Sequence, residues 1–498
     1  MRIPASQRRL FATVILLLLT SIFPLFSAYR YPIFLNDDSY ITFTYIKNIV
    51  HGNGFVFNHP PAVLGTTTPL FTITVAGLAL IFPQIDIPLI AVYFTAICWL
   101  GIIWTFFFFR KAWRLELWQV CILALVVIGS GWVTFLGMEA YLFAFLLTLS
   151  ISLCLGKSYW LTGLSVGLLF LTRGEGALVF ILLSIVILVQ QWASKRLLQI
   201  ESVQNISRLF IGFMLPFASW AIYARLTFGT FLPNTLAAKQ MQAQSGLWQP
   251  FFQRLVAEWI TSWGQSFTVA PFVNLWWILI CIGCLDALRH KHEWLIVIGW
   301  IAMYISGYSL LGVSAYWWYQ IPILFVLNLC FGLGIIKVVE LFVRYIQPFQ
   351  LALGIAITST LLLIWLLAKP TINAAIHNQG DSRGESYVTL SRWFREHTQS
   401  PSESIAFIEI GYLGYYTDHQ IIDLAGLTSP DALPHIANGD FTWVFWQHRP
   451  DYYVYSAQFD ALLAGIRTNP EFDQLYKPVA TLPGPREVDL VIYKRFDP

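Results

Sequence analysis

The stretch Thr68-Pro69-Leu70-Phe71-Thr72-Ile73-Thr74-Val75-Ala76-Gly77-Leu78-Ala79-Leu80-Ile81-Phe82 decides how the rest of the chain is threaded. As a helix, Pro69 to Phe82 would be about 21 Å long, against about 30 Å of bilayer hydrocarbon. Thr68 is a favourable N-cap residue and proline suits the first helical position. The segment therefore reads as a juxtamembrane or re-entrant helix rather than a crossing.

Working outward, the first apolar run, Leu10 to Ala28, follows Arg2, Arg8 and Arg9 and shows no small-residue cleavage pattern before Tyr29. It reads as an uncleaved signal anchor with a cytoplasmic amino terminus. Further spans are expected near 87–109, 117–135, 140–156, 158–172, 176–192, 208–227, 271–288, 294–311, 317–336 and 349–368, about eleven crossings in all. The basic residues then fall in alternate loops: Arg110, Lys111 and Arg114; Lys157; Lys195, Arg196 and Arg208; Arg289 and Lys291; Lys337 and Arg344. Those loops are cytoplasmic by the positive-inside rule. Counting Pro69 to Phe82 as a crossing would place the Arg110 cluster outside.

Composition agrees with this threading. Of 498 residues, 57% are hydrophobic and 11% charged, where soluble domains carry about 25% charged residues. A chain of soluble domains is excluded, and a net charge of +3 excludes a nucleic-acid binder driven by bulk charge. All six cysteines lie in apolar runs and read as buried thiols; Cys281 and Cys284 lack the second pair or the histidines a zinc site requires. The expected fold is an α-helical polytopic membrane domain, residues 1–368, followed by a small extracytoplasmic α/β domain, 369–498. In the latter a helix is expected around Glu385 to His397 and strands at Ser404 to Ile408, Gln420 to Leu424, Asp451 to Tyr455 and Val488 to Tyr493. Two loops, 29–67 and 229–270, share the outer side with this tail. Reporter fusions at Gln199 and Pro498 are expected to report opposite sides of the membrane; equal signals would overturn the span count.

The outer loops hold the candidate chemistry. Asp37 and Asp38 are adjacent carboxylates at a membrane boundary, a costly pair that suits a general base or a divalent cation. Asp38 is the expected cap of a Ser39 to Val50 helix, leaving Asp37 as the favoured base. Glu139 and the Arg173-Gly174-Glu175 turn lie at the outer ends of spans. Asn234 and Lys239 follow in the second outer loop, where the lysine can hold a phosphate as a point charge and Arg173 can do so bidentately.

Seven motifs in one order resemble the membrane glycosyltransferases of the C-type fold. They are Asp37-Asp38-Ser39-Tyr40-Ile41; Gly52-Asn53-Gly54 through Asn58; Thr67-Thr68-Pro69-Leu70; Gly137-Met138-Glu139; Leu171-Thr172-Arg173 with Glu175; Pro233-Asn234-Thr235 with Lys239; and Gly411 to Tyr416 with Ile422-Asp423-Leu424. More narrowly, the pattern is similar to the terminal arabinofuranosyltransferase branch and its bacterial relatives. It departs from that branch at Ala140, Gly174 and Leu64-Gly65-Thr66, positions that bear on sugar and acceptor more than on fold. The resemblance implies a polyprenyl-phosphate sugar donor and transfer to a glycan, lipid or protein acceptor of the cell envelope on the extracytoplasmic face. Asp37 and Asp38 are then catalytic, and Glu139, Arg173, Glu175, Asn234 and Lys239 bind substrate. The alternatives are a lipid-linked-sugar transporter or flippase, which should show internal repeats and charges near mid-bilayer, and a non-catalytic scaffold.

Overall fold

The computed structural model describes residues 5–30, 35–58, 62–131, 135–195, 199–265, 270–377, 380–400 and 402–496. Arg2, Arg196 and Pro498 lie outside the described residues. Helix α1 (Ala5–Tyr29) leads into α2 (Asp37–Val50) and α3 (Pro69–Ile81), then α4 (Ile87–Phe108), α5 (Leu117–Gly129), α6 (Ala140–Leu155), α7 (Tyr159–Thr172), α8 (Gly176–Ala193) and α9 (Ile200–Phe228). A second connection carries α10 (Asn234–Gln244), α11 (Phe251–Arg254) and α12 (Ile260–Gln265) before α13 (Ala270–Arg289), α14 (Leu295–Leu311), α15 (Ile321–Tyr345) and α16 (Phe349–Ile376). Among the described residues, eight helices are long and apolar enough to cross a membrane: α1, α4, α8, α9 and α13 to α16. The protein is a multi-pass membrane protein.

The remaining three expected crossings are α5, α6 and α7, which are shorter apolar helices like α3. Length therefore separates α3 from α5 and α7 less cleanly than the sequence implied. The shortening of α6 and α7 has a positional consequence: α6 begins after Glu139 and α7 ends before Arg173, so both helices stop at the same charged cluster. At the start of α3, Thr68 is the N-cap as expected but makes no capping bond; its hydroxyl pairs with that of Thr66 at 3.1 Å.

Lipid gives helices no hydrophobic reason to associate, so close packing through small residues does the work. Along α7 and α9, a Cβ on Gly163 would lie 2.1 Å from the Leu209 carbonyl oxygen, and one on Gly212 would lie 2.4 Å from that of Trp160. The pair α13 and α15 repeats the device: a Cβ on Gly283 would lie 2.0 Å from the Cys330 carbonyl oxygen, and one on Gly334 would lie 2.0 Å from that of Leu279. The cysteines correct one expectation. Cys98, Cys154 and Cys330 are buried, whereas Cys281 is exposed on the helix surface, where an apolar environment alone satisfies a thiol.

The tail forms α17 (Gly384–His397), β1 (Ser404–Phe407), α18 (Gly411–Tyr416), β2 (Gln420–Asp423), β3 (Tyr452–Tyr455), β4 (Tyr476–Leu482) and β5 (Leu490–Arg495). The sheet order is β2-β1-β3-β5-β4, with β1 parallel to β2 and β3 and with β5 antiparallel to both β3 and β4. Strand β4 was not expected; it is an edge strand whose register shifts between Pro478 and Ala480, and a proline is tolerated in a sheet only at such a place. Helix α16 runs through Lys369 to Ile376, across the expected domain boundary.

Candidate active site

Residues 47–58 and the tail are joined by polar contacts that explain several motifs as docking elements. The Asn58 amide donates to the Ile421 carbonyl at 2.8 Å and accepts from the Ile421 N–H at 3.1 Å. Lys47 reaches the Tyr415 carbonyl and Asp418. Gly52 and Gly54 adopt left-handed φ values of 81° and 87°, which return the chain from α2. The Asn234 side chain, expected to bind substrate, donates to the carbonyls of Gly426 and Leu427, both at 2.9 Å. It fastens the turn after β2 to α10, and Asp423 holds that turn by accepting from the N–H groups of Ala425 and Thr428.

The two aspartates face different surroundings. The N-cap of α2 is Asn36, whose side chain accepts from the Asp38 N–H at 3.0 Å, so the expectation that Asp38 caps this helix is corrected. Asp37 is 3% exposed. Its two carboxylate oxygens each accept one backbone N–H, from Gly411 and Tyr412, both at 3.0 Å. Those donors are the first residues of α18, where unsatisfied N–H groups and the helix dipole attract an anion. Burial pushes the Asp37 carboxyl up, against the pull of Arg383 and of these two N–H groups.

Asp38 is half-buried and lines a polar cavity of about 80 Å³ together with Thr66, Glu139, Thr235, Lys239 and Tyr316. Among the described residues its carboxylate accepts no hydrogen bond. Burial, and then the charge of Asp37, raise it to about 6. Lys239 stands in the same cavity, over the rings of Tyr316, Trp318 and Tyr319 at 5.1, 5.4 and 5.1 Å, with no ion-pair partner among the described residues. Burial, and then the charge of Arg173, lower it to about 8.

Arg173 is committed elsewhere. Its guanidinium donates to Glu139 at 3.0 Å and to Glu175 at 2.8 and 3.0 Å, and Tyr308 adds a hydrogen bond to Glu175. One cation between two carboxylates leaves no surplus positive charge. This cluster and Lys239 lie in the wall of a second, larger cavity of about 580 Å³, otherwise walled by apolar side chains such as Phe170, Leu178, Trp220 and Leu311. The small polar and large apolar cavities share Glu139, Lys239, Thr66, Thr67 and Trp318. The structure thus brings together Asp38, Glu139, Arg173, Glu175 and Lys239, and turns Asp37 and Asn234 away to hold the tail.

For a divalent cation, one of the two uses the aspartate pair suited, Asp37 has both oxygens taken by backbone N–H groups and Asp38 stands as a single open carboxylate. Among the described residues no group of three or more His, Cys, Asp or Glu side chains is arranged to hold a metal ion. Sequence reasoning missed the aromatic floor under Lys239 and a second charged cluster in which Arg383 pairs with Asp381 at 2.6 Å and Glu409 at 2.7 Å. The run Tyr316-Trp317-Trp318-Tyr319 was the available signal for the first.

Residues 374–493 match a family described as a domain of unknown function (DUF8728). No curated protein sequence matches the chain. Among solved structures, the chain is similar to ArnT from Cupriavidus metallidurans bound to undecaprenyl phosphate, with a TM-score of 0.60 and 13% identity over 96% of this chain and 97% of that one. The apo state of the same protein aligns with a TM-score of 0.56 and 11% identity over 98% of each chain. At these identities the likeness is one of fold, and the chain has an ArnT-like fold over nearly its whole length.

Proposed function

We propose that the protein is a membrane glycosyltransferase that takes a sugar from a polyprenyl-phosphate donor and transfers it to a cell-envelope acceptor on the extracytoplasmic face. The observation that carries this reading is the wall the two cavities share at Lys239: a mainly apolar chamber of a size to take a lipid and a smaller chamber that holds a carboxylate meet at one cation. The ArnT-like fold supports it, since one of those structures contains undecaprenyl phosphate. In this arrangement the isoprenoid lies against Phe170, Leu178 and Leu311, and the phosphate meets Lys239. Asp38 accepts the proton of the acceptor hydroxyl as its oxygen attacks the anomeric carbon. The bond from that carbon to the phosphate oxygen breaks, and its electron pair leaves with the lipid phosphate. Arg173, paired with Glu139 and Glu175, holds those two carboxylates in place. The resemblance to arabinofuranosyltransferases makes a pentofuranose the first donor sugar to test.

The charged groups sit at helix termini, Glu139 and Glu175 as the N-caps of α6 and α8 and Arg173 as the C-cap of α7. A transporter would place them within broken helices instead. Titration of purified protein with a polyprenyl-phosphate sugar tests the assignment. Lys239→Ala should weaken donor binding by about 10- to 100-fold, the worth of one charge-assisted hydrogen bond of about 1.5–3 kcal/mol. Donor affinity equal to the parent's in this variant would refute the proposal. Arg173→Ala is expected to act differently: it leaves two buried carboxylates unpaired, so its main effect should be a loss of folded protein, about 3–5 kcal/mol for a broken buried pair.

A further inference from the structure

A cavity of about 590 Å³ is lined by residues of both the membrane domain and the tail. Its wall carries Asp381, Ser382, Arg383, Glu409 and Gln458 from the tail and the indole of Trp317 from the membrane domain. None of these residues enters the chemistry assigned above. We propose that this cavity is a binding subsite for a neutral oligosaccharide, the part of a glycan acceptor that lies beyond the reacting sugar.

Three features converge on that chemistry. Arg383 donates to Asp381 and Glu409, so these hydrogen-bonding groups are fixed in place and the charge of Arg383 is offset by that of Asp381. Burial, and then the charge of Asp37, push the Glu409 carboxyl up to about 8, which makes it a hydrogen-bond donor as well as an acceptor at neutral pH. Trp317 is 39% exposed although its ring rests on Phe135 at 4.4 Å. A large aromatic left half open beside polar groups has an electron-rich face for the C–H side of a sugar ring, while the surrounding groups meet its hydroxyls. The volume lies within the range that encloses a drug-sized ligand, the bulk of a di- or trisaccharide.

The walls of this cavity are tied by hydrogen bonds to the segment that carries Asp37 and Asp38. Asn36 lines it and caps α2 through the Asp38 N–H. Asp381 accepts the Asp37 N–H at 3.3 Å, and Trp318, next to Trp317, lines both of the other cavities. The lining residues Asn36 and Trp317 are thus sequence neighbours of Asp38 and Trp318, which line the polar cavity. The role as acceptor subsite rests on the transferase reading; the binding of oligosaccharide does not.

The test uses the full chain in lipid nanodiscs, titrated with linear trisaccharides of glucose, mannose, galactose and arabinofuranose, with tryptophan fluorescence and saturation-transfer NMR as readouts. At least one trisaccharide should bind saturably, Trp317→Ala should weaken it at least tenfold, and Lys239→Ala should leave it unchanged. Gln458→Ala and Arg486→Ala, both at exposed positions of the rim, give the same readout if Trp317→Ala fails to fold, with an expected loss of at least threefold. The subsite is refuted if no trisaccharide saturates the protein, if the rim variants bind like the parent, or if Lys239→Ala abolishes binding. Loss of donor binding in Lys239→Ala with trisaccharide binding intact tests the transferase reading separately.

Discussion

Replacing Asp38 by asparagine should lower turnover by about 10²- to 10⁴-fold, the usual contribution of a positioned general base, while donor binding and thermal stability stay at parental values. A sugar hydroxyl is a poor nucleophile at neutral pH, and Asp38 is a carboxylate that lines the cavity and, among the described residues, accepts no hydrogen bond. Because Asp38 is raised to about 6 and Lys239 lowered to about 8, the free enzyme should have a bell-shaped pH profile of kcat/KM. Below about 6 the carboxyl is protonated and cannot accept a proton. Above about 8 the lysine loses the charge that meets the donor phosphate. Lys239→Arg should retain activity and remove the alkaline limb, because a guanidinium does not deprotonate in this range. A single displacement also requires inversion at the transferred sugar, which NMR of the product reads directly; retention would exclude this mechanism. Parental turnover in Asp38→Asn would move the base elsewhere and put a transport or scaffold role ahead.

The parts of this site that were legible in the sequence are those in which a charge interrupts an apolar run. Glu139, Arg173 and Glu175 stand out because a helix that must match lipid cannot hide them, and the structure gathers all three. Lys239 was legible as a cation in an outer loop, but not its aromatic floor, which comes from a distant stretch between α14 and α15. Arg383, Asp381 and Glu409 carried no signal, because charged residues in a soluble tail are ordinary. The strands β1, β2 and β3 have buried apolar runs that the eye can find and β5 alternates buried with half-buried residues, whereas β4 is mostly exposed and contains a proline. Least legible was the difference between Asp37 and Asp38. Two adjacent carboxylates are equivalent in composition, and their surroundings are set apart by a partner lying 374 residues further along the chain.

That partner supplies the second large effect. A Cβ on Gly411 would lie 1.9 Å from the Asp37 carbonyl oxygen and 2.9 Å from its Cγ, separations that backbone atoms cannot accept. Gly411→Ala must therefore push α18 away from α2 and take both backbone N–H groups off the Asp37 carboxylate. Each buried N–H left without an acceptor costs roughly 1–3 kcal/mol, and Tyr40 would also lose its packing on Tyr412, now at 4.1 Å between ring centres. Asp37→Ala removes the same two acceptors without the clash, and Asp37→Asn keeps one acceptor while turning an amide NH₂ toward the other donor. Thermal unfolding of the purified protein should accordingly fall in the order Asp37→Asn, Asp37→Ala, Gly411→Ala, with limited proteolysis releasing the tail most readily in the last. Turnover should fall in step, because the first turn of α2 is what aims Asp38. An Asp37→Asn variant as stable as the parent yet without turnover would return the base to Asp37, since a purely structural carboxylate cannot be lost without a change in stability. A Gly411→Ala variant with parental stability would show that α18 does not bear on α2 as closely as the packing requires.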